Sequence, residues 1–410
     1  MSGALDYLKE RLADLDEQGL LLRPRTLEGP TGARARFDGR VVINLASNNY
    51  LGLSNHPRMN AAASRAASEL GAGTGAVRTI AGTMSQHREL ERRFAEFKHA
   101  EDALMFQSGF TANAGTVAAI LDQQDVIVSD RLNHASIIDG ARLSRVEIKV
   151  FEHKDAEHAD ALLEETKAAD RRQLLITDGV FSMDGDIAPL PALVEVAERH
   201  GAIMMVDDAH ASGVLGKGGA GTVDHFGLHG RVDVQVGTLS KAIGVVGGFI
   251  AGPHELIEWL QNRGRPYLFS TSAPPAAVAA CIEALDIIAD EPERIDRLWS
   301  NTRTFKAGLH DLGFDTGASE TPITPVITGD EERTQAFADR LFTRACSVRR
   351  SCSRRWARAR RESGRSARPI TRRTIWARRL RCSAASARSS GCARGWTARI
   401  RRLRTGCPGS

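Results

Sequence analysis

The chain has few aromatic residues and almost no cysteine outside its last segment. Phe, Trp and Tyr make up 5% of its 410 residues, and Cys281 is the one cysteine before residue 344. A lone cysteine cannot build a disulfide framework, and the cysteines after residue 344 lack the spacing of a zinc site, so no metal site is expected. The sequence also lacks a signal peptide and any long apolar run. We therefore expect a soluble, cytoplasmic protein with no membrane contact.

The last segment, residues 344–410, has no lysine and a single acidic residue, Glu362. Its 21 arginines give it a charge of about +20, whereas residues 1–343 hold 34 basic against 49 acidic residues, about −15. The net charge of +5 is therefore the sum of two unlike parts. The segment shows no helical or strand periodicity and almost no apolar runs.

We interpret residues 344–410 as the product of a shifted reading frame. Arg, Ala, Ser, Gly, Cys and Trp without Lys form the composition that GC-rich DNA gives when it is read out of frame. We expect this tail to be disordered, because so few apolar residues cannot offset the entropy lost on ordering. Two alternatives stay open: a natural arginine-rich arm that attracts nucleic acid non-specifically, and an ordered domain.

Short apolar runs alternate with helical patterns in the body of the chain. Four runs rich in Val and Ile are typical of buried strands. Helical spacing separates them. This order predicts an α/β fold with a mostly parallel central sheet and helices on both faces, whose ligands lie beyond the carboxyl ends of the strands. The predicted strands are residues 125–129, 173–177, 202–206 and 232–236, and two of the helical stretches are 159–169 and 190–200.

Two of these runs are followed by motifs that can carry chemistry. One run ends in Asp207-Asp-Ala-His210, and about thirty residues later Thr238-Leu-Ser-Lys241 precedes a glycine-rich stretch. A lysine amine can form a Schiff base with the aldehyde of pyridoxal 5'-phosphate (PLP). A carboxylate under the ring keeps the pyridine nitrogen protonated, so that the ring can accept electrons from a carbanion. Each motif alone is also typical of a surface lysine or a capping aspartate, but their order and spacing together indicate a PLP site.

Further polar residues follow strand ends in the same way. Gly109 and Phe110 begin a helical pattern, where backbone N–H groups can hold a phosphate, although an ordinary helix cap is the alternative. His134 could stack on the pyridine ring and His210 could hydrogen-bond its phenolic oxygen, although a lone histidine is more often structural. Ser182 lies in another strand-end loop that is rich in capping residues.

Together these motifs resemble the α-oxoamine synthases, PLP enzymes that join an amino acid to an acyl-CoA. The resemblance implies a PLP-dependent transferase of fold type I, with an incomplete small C-terminal α/β domain. It also implies a homodimer whose subunits share the active site. The matching segments run in the family's order up to about residue 343: residues 47–53, 71–83, 133–140, 178–185, 206–210, 238–241 and 265–272.

The resemblance also implies roles for individual residues. Lys241 would carry the Schiff base, Asp207 would pair with the ring nitrogen, and His134 would stack on the ring. Asn49 lies in the segment that contacts the amino-acid substrate. The remaining cofactor-binding residues would be Gly109, Phe110 and Thr238 at the phosphate, Ser182 and His210 at the phenolic oxygen, and Thr271 and Ser272 reaching the phosphate from the other subunit.

Within the family, the motifs look most like glycine C-acetyltransferase. That enzyme condenses glycine with acetyl-CoA to 2-amino-3-oxobutyrate and CoA in threonine catabolism. The alternative is 8-amino-7-oxononanoate synthase, which uses alanine and a pimeloyl thioester in biotin synthesis. A third hypothesis is a non-catalytic frameshifted product, because the family's arginine for the substrate carboxylate is not identifiable here. The resemblance and composition predict a helical arm at 1–50, a PLP-binding domain at 51–290, the start of a small domain at 291–343, and the tail at 344–410.

Overall fold

A computed structural model describes residues 3–18, 20–329, 331–351 and 374–378. The chain divides into two compact units. One is the continuous segment Asn48–Trp299, and the other combines Met1–Ser47 with Ser300–Ser410. The sequence predicts four parts instead, at 1–50, 51–290, 291–343 and 344–410. These two units do not test that division, which stays a prediction. Within the described ranges, no helix has the length and apolar character needed to cross a membrane.

Helices and strands succeed one another along the described part of the chain. The helices are α1 Tyr7–Glu17, α2 Pro57–Leu70, α3 Ser85–Lys98, α4 Gly109–Ile120, α5 Ala135–Ser144, α6 Ala156–Glu165, α7 Leu190–His200, α8 Thr222–His225, α9 His254–Arg263, α10 Arg265–Phe269, α11 Pro275–Asp290, α12 Glu293–Asp311 and α13 Glu331–Thr343. The strands are β1 Arg34–Phe37, β2 Arg40–Asn44, β3 Asp102–Phe106, β4 Val126–Asp130, β5 Glu147–Phe151, β6 Gln173–Asp178, β7 Ile203–Asp207, β8 Val234–Thr238, β9 Gly248–Gly252, β10 Ile323–Ile327, β11 Cys346–Ser347, β12 Arg349–Ser351 and β13 Thr374–Arg378.

The unit Asn48–Trp299 is built around a seven-stranded sheet with the order β3-β9-β8-β7-β6-β4-β5. Strand β9 runs antiparallel to both of its neighbours, and the remaining pairs are parallel. All residues of β4 and β6 are buried, as expected for central strands covered on both faces. The predicted α/β fold with a mostly parallel sheet is therefore confirmed. Each of the four predicted strands agrees with an observed strand to within two residues.

Alternate residues of the central strands β4 and β6 pack into two separate apolar layers. Ile127 and Leu174 lie in a cluster with side chains of α4, α5 and α9. Val128 and Leu175 lie in a second cluster with side chains of α6 and α7. Because successive strand residues point to opposite faces, these two clusters place helices on both sides of the sheet.

The second unit has a small apolar core of its own and two three-stranded sheets. Leu45, Phe305 and Leu309 form part of that core together with Leu341 and Cys346. One sheet has the order β1-β2-β11 and the other β10-β13-β12. Strands β1 and β2 are neighbours in sequence, whereas the β2–β11 and β10–β13 pairings join segments far apart in the chain.

Three short strands, β11, β12 and β13, lie within residues 344–410, and the expected disorder of that segment as a whole stays a prediction. Strand β11 pairs in parallel with β2, and β13 pairs antiparallel with β10 and β12. These strands form because their backbone groups pair with the edges of other strands. Such pairing leaves no periodic pattern in the sequence of so short a segment. Residues 352–373 and 379–410 lie outside the described residues, so the frameshift interpretation stays a prediction.

Candidate active site

A cavity of about 240 Å³ lies at the carboxyl edge of the seven-stranded sheet. Its walls come from the ends of β6, β7 and β8 and from the starts of α4 and α5. This is where ligands bind in open α/β sheets. Seven of the residues predicted from the sequence line it. The lining is Ser108, Gly109, Phe110, Asn113, His134, Ser136, Asp178, Val180, Asp207, Ala209, His210, Thr238, Ser240 and Lys241.

One end of the cavity is the start of α4. The Ser108 hydroxyl accepts a hydrogen bond from the Thr111 N–H at 3.0 Å, and the Thr111 hydroxyl accepts one from the Ser108 N–H at 3.0 Å. This reciprocal cap fixes the first turn, in which the N–H groups of Gly109 and Phe110 precede the helix's own hydrogen bonds. A Cβ at Gly109 would lie 3.1 Å from Thr238 Cβ, so glycine permits the close approach of α4 to β8. The arrangement favours an anion.

A chain of hydrogen bonds joins Asp207 to His134 along the cavity wall. The Asn113 amide donates to Asp207 Oδ2 at 2.6 Å and to Ser136 Oγ at 3.0 Å. Ser136 Oγ lies 2.7 Å from His134 Nδ1, which also accepts from the Ser136 N–H at 3.3 Å. Because Nδ1 accepts, the proton of neutral His134 lies on Nε2. The second oxygen of Asp207 accepts from the Ala209 N–H at 2.8 Å.

Asp178 ends β6 beside Asp207, and both carboxyl groups are buried. Burial, and then the negative charge of Asp207, raise the pKa of Asp178 well above its ordinary value. The His134 N–H, which donates to Asp178 Oδ1 at 3.4 Å, and the charge of Lys241 act in the opposite direction. Burial and the like charge beside it both favour the protonated form of Asp178.

His210 lies on the side of the cavity that follows β7. Its Nδ1 is 2.8 Å from the Tyr50 hydroxyl, and both side chains are buried. The two rings meet edge to face, with 6.2 Å between their centroids. Tyr50 therefore fixes the orientation of the imidazole that the sequence placed at the cofactor's phenolic oxygen.

Four residues predicted for the site are not among those that line the cavity in the described part of the chain. Asn49 is buried, and its Oδ1 accepts from the Ser54 N–H at 3.3 Å. The Ser272 N–H and hydroxyl both donate to the Ala76 carbonyl, at 3.0 and 3.2 Å. Thr271 pairs with Val77 in an isolated bridge. Thr271 and Ser272 were expected to act on a second subunit, and this role and that of Ser182 stay predictions.

Sequence reasoning missed several residues that shape the cavity. Asn113, Ser136 and Ser240 each lie within a few residues of a predicted site residue, but their side chains resemble ordinary capping groups in the sequence. Tyr50 lies in the matching segment 47–53, but nothing there predicts its contact with His210, which joins positions 160 residues apart. Asp178 ends a predicted strand and begins the matching segment 178–185, but no role was predicted for it.

The donor groups of the cavity fit PLP. A helix start, a lysine amine that can react with an aldehyde, a hydrogen-bonded carboxylate and an imidazole all line the cavity. The Asn113 Oδ1 atom is buried and has no hydrogen-bond partner among the described residues, which is common at a wall that a bound group completes. The fold and this site define a PLP-dependent enzyme of fold type I, with PLP as its cofactor.

Comparisons with known proteins agree with that class. A family model described as aminotransferase class I and II matches residues 40–365. The chain is 58% identical over 338 residues to an 8-amino-7-oxononanoate synthase of Thermoanaerobacter pseudethanolicus, covering 82% of this chain and 86% of the relative. It is 54% identical over 339 residues to 8-amino-7-oxononanoate synthase 1 of Bacillus velezensis, covering 83% of this chain and 86% of that one. The chain thus belongs to the class I and II aminotransferase family and, within it, to the α-oxoamine synthases.

Solved structures show the same fold. A serine palmitoyltransferase of Sphingomonas wittichii matches with a TM-score of 0.86 at 30% identity, over 99% of this chain and 100% of that chain. An 8-amino-7-oxononanoate synthase of Francisella tularensis matches with a TM-score of 0.71 at 22% identity, over 89% and 98%, a likeness of fold alone.

The comparisons do not support glycine C-acetyltransferase and favour the alternative that the sequence left open. The first assignment rested on residues 76–83, 132–143, 178–185 and 265–270, which include residues predicted to hold the cofactor, such as His134 and Ser182. Cofactor-binding motifs are shared by enzymes with different substrates, so these segments carry little information about the acyl group. Glycine, acetyl-CoA and threonine catabolism are therefore not supported, and the homodimer stays a prediction.

Proposed function

We propose that this protein is an 8-amino-7-oxononanoate synthase, an acyltransferase that joins alanine to a pimeloyl thioester with release of carbon dioxide and the thiol. The observation that carries the proposal is sequence identity of 52–58% to eight curated relatives, all of which bear that name. The reaction belongs to biotin synthesis.

When bound, PLP supplies an electron sink that makes the α-carbon of the amino acid acidic. Lys241 lies at the cavity, where its Nζ would hold the cofactor and would accept the α-proton of the amino acid. The charge of Lys241 also acts on the buried carboxyl of Asp178 in the same cavity.

The other groups would hold the ring in place. Asp207, with its two oxygens fixed by Asn113 and the Ala209 N–H, would keep a proton on the ring nitrogen. His134 would lie against the ring face in the tautomer that its contact with Ser136 selects. His210, oriented by the Tyr50 hydroxyl, would bond the phenolic oxygen.

The phosphate would lie at the start of α4. Gly109, Phe110 and Thr238 line the cavity there, and the two N–H groups and the hydroxyl would bind the phosphate. The Thr238 hydroxyl is 2.9 Å from Ser240 Oγ and donates to the Gly247 carbonyl at 3.1 Å, which fixes its position at the end of β8. These contacts orient the cofactor and leave the choice of acyl group to other parts of the protein.

The proposal predicts that kcat/KM for alanine with pimeloyl-CoA exceeds that for glycine with acetyl-CoA by at least about tenfold, the discrimination that a matched apolar pocket can supply. The comparison is made on the chain as it stands and on a version with the reading frame restored after residue 343. A preference for glycine and acetyl-CoA would contradict the proposal in favour of glycine C-acetyltransferase. Cofactor binding without turnover of either pair, in both versions, would favour a non-catalytic product.

A further inference from the structure

Two histidines and an aspartate from three separate elements meet on the surface of the unit Asn48–Trp299. His99 directly follows α3, Asp224 belongs to α8, and His229 lies in the loop after α8. One ligand atom of each residue lies within 4.8 Å of the others. Nε2 of His229 is 3.1 Å from Asp224 Oδ1, and Nε2 of His99 is 3.7 Å from the same oxygen. The three groups therefore converge on one point.

A buried ion pair fixes the backbone on which two of these groups stand. The Lys98 ammonium contacts Asp208 Oδ2 at 2.7 Å, with both side chains fully buried, and also donates to the Ala220 carbonyl. The Thr222 N–H and hydroxyl donate to the Asp208 carboxylate. Since Lys98 precedes His99 and Thr222 begins the helix of Asp224, this network holds the end of α3 against the start of α8. The positions of two ligands are set before any ion binds.

Local contacts orient the remaining atoms. Asp224 Oδ2 accepts a hydrogen bond from the Lys217 N–H, which leaves Oδ1 turned towards the imidazoles. The turn that carries His229 is closed by the Leu228 N–H, which donates to the Val223 carbonyl at 2.9 Å. The rings of His99 and His229 meet edge to face with 4.6 Å between their centroids. Both imidazoles are partly exposed, at 53% and 39% of their side-chain surfaces, so an ion in solvent can reach them.

We propose that His99, Asp224 and His229 bind a divalent transition-metal ion of the zinc class. Two imidazole nitrogens and one carboxylate oxygen are ligands that Zn²⁺ accepts, whereas Mg²⁺ and Ca²⁺ prefer all-oxygen sites. Three protein ligands leave a fourth position for water. The bound ion ties the end of α3 to α8 and its following loop. This site lies outside the residues that line the active-site cavity, so its expected effect is on stability rather than on turnover.

The test uses the full chain with its cofactor, stripped of metal with a chelator and titrated with ZnCl₂ in a calorimeter. The variants are His229→Gln and His99→Asn; asparagine suits the left-handed φ of 51° at position 99. The matched control is His254→Gln, which removes another exposed histidine that contacts one carboxylate, Asp102, at 3.1 Å. Because cysteines and the cavity histidines also bind zinc, the readout is the difference in bound equivalents between proteins.

The wild type and the control should bind one equivalent of Zn²⁺ that both variants lose or bind at least about 10- to 100-fold more weakly, the loss that even an outer-sphere change can cause. Added Zn²⁺ should raise the thermal unfolding midpoint of the wild type and the control, and not that of the variants. Equal equivalents with equal affinity in all four proteins would overturn the proposal. So would a zinc-dependent rise of the midpoint that persists in both variants.

Discussion

At the scale of single residues, three ionisable side chains line the candidate cavity and act on one another electrostatically. Lys241, Asp178 and Asp207 line the same wall, and the carboxyls are buried. The pKa of Asp178 is raised by burial and by its neighbour, while the lysine charge counteracts that rise. Both carboxyls accept a backbone N–H, but Asp207 also accepts the side-chain amide of Asn113. The hydrogen-bond partners, rather than the residue type, distinguish the two carboxyls.

Replacing Lys241 with alanine should abolish covalent retention of the cofactor, because no other amine among the described residues lines the cavity. The measurement is borohydride reduction followed by denaturation and intact mass spectrometry. Lys217→Ala is the control, because Lys217 is exposed and lies in the same unit, Asn48–Trp299. A reduced adduct of undiminished yield in the Lys241 variant would remove Lys241 from this role.

Asn113→Leu should lower kcat/KM by about 10- to 100-fold, because the charged Asp207 loses a hydrogen bond of about 1.5–3 kcal/mol and Ser136 loses its donor. Thr116→Val is the matched control. Thr116 is fully buried on the same helix, and its hydroxyl has no partner among the described residues, so its loss should cost little. Equal kinetics in both variants would show that Asn113 only fills space.

At the scale of elements, loops at the carboxyl edge are joined by a charged clamp. His153, which follows β5, contacts Asp130 at the end of β4 at 3.0 Å and Asp186 beyond β6 at 3.0 Å. Burial lowers the pKa of His153, but the two carboxylates outweigh it and raise that pKa to about 9. Lys154 also faces Asp186, at 3.4 Å. The clamp holds the loop that contains Ser182, next to the cavity.

The clamp makes stability depend on pH in a defined direction. The folded pKa of His153, about 9, lies above the ordinary 6.5, so its contribution is fully present below pH 6.5 and is lost as the pH rises through about 9. The thermal unfolding midpoint should therefore fall between pH 6.5 and 9.5 more steeply in the wild type than in His153→Gln. His254→Gln should behave as the wild type does. Identical slopes in all three proteins would contradict the clamp.

At the scale of the whole molecule, the acidic body and the arginine-rich last segment remain two unlike parts of one chain. The last segment nonetheless contributes to the unit that combines Met1–Ser47 with Ser300–Ser410. Cys346 is buried in its core, and β11 adds a strand beside β2. The frameshift interpretation itself can be checked by reading the gene around the codons for residues 342–350.

A chain that ends at residue 351 should unfold at a higher temperature than one that ends at residue 343. The longer chain keeps β11 and the buried Cys346, whereas the shorter one exposes the edge of β2 and part of the apolar core. Calorimetry of the two truncated chains measures the difference. Equal unfolding midpoints would show that residues 344–351 add nothing to the stability of the fold. They would favour a tail that has no structural role.

Much of the active site could be predicted because its signals are local. The apolar runs before Asp207 and Thr238 identify buried strands, and the rule for parallel sheets then brings their carboxyl ends together. Lys241, His134 and Gly109 each follow such an end and line the predicted cavity. The acyl substrate could not be predicted in this way, because cofactor motifs are common to enzymes with different substrates.

The sequence by itself determined the sheet, the edge at which the cavity lies, and the lysine and carboxylate that face it. These follow from periodicity and strand-end position, which are properties of neighbouring residues. Only the tertiary structure decided that Tyr50 meets His210, that β11 pairs with β2, and that His99 meets Asp224 and His229. Each of these contacts joins separate elements, and its geometry arises from packing that no local pattern encodes.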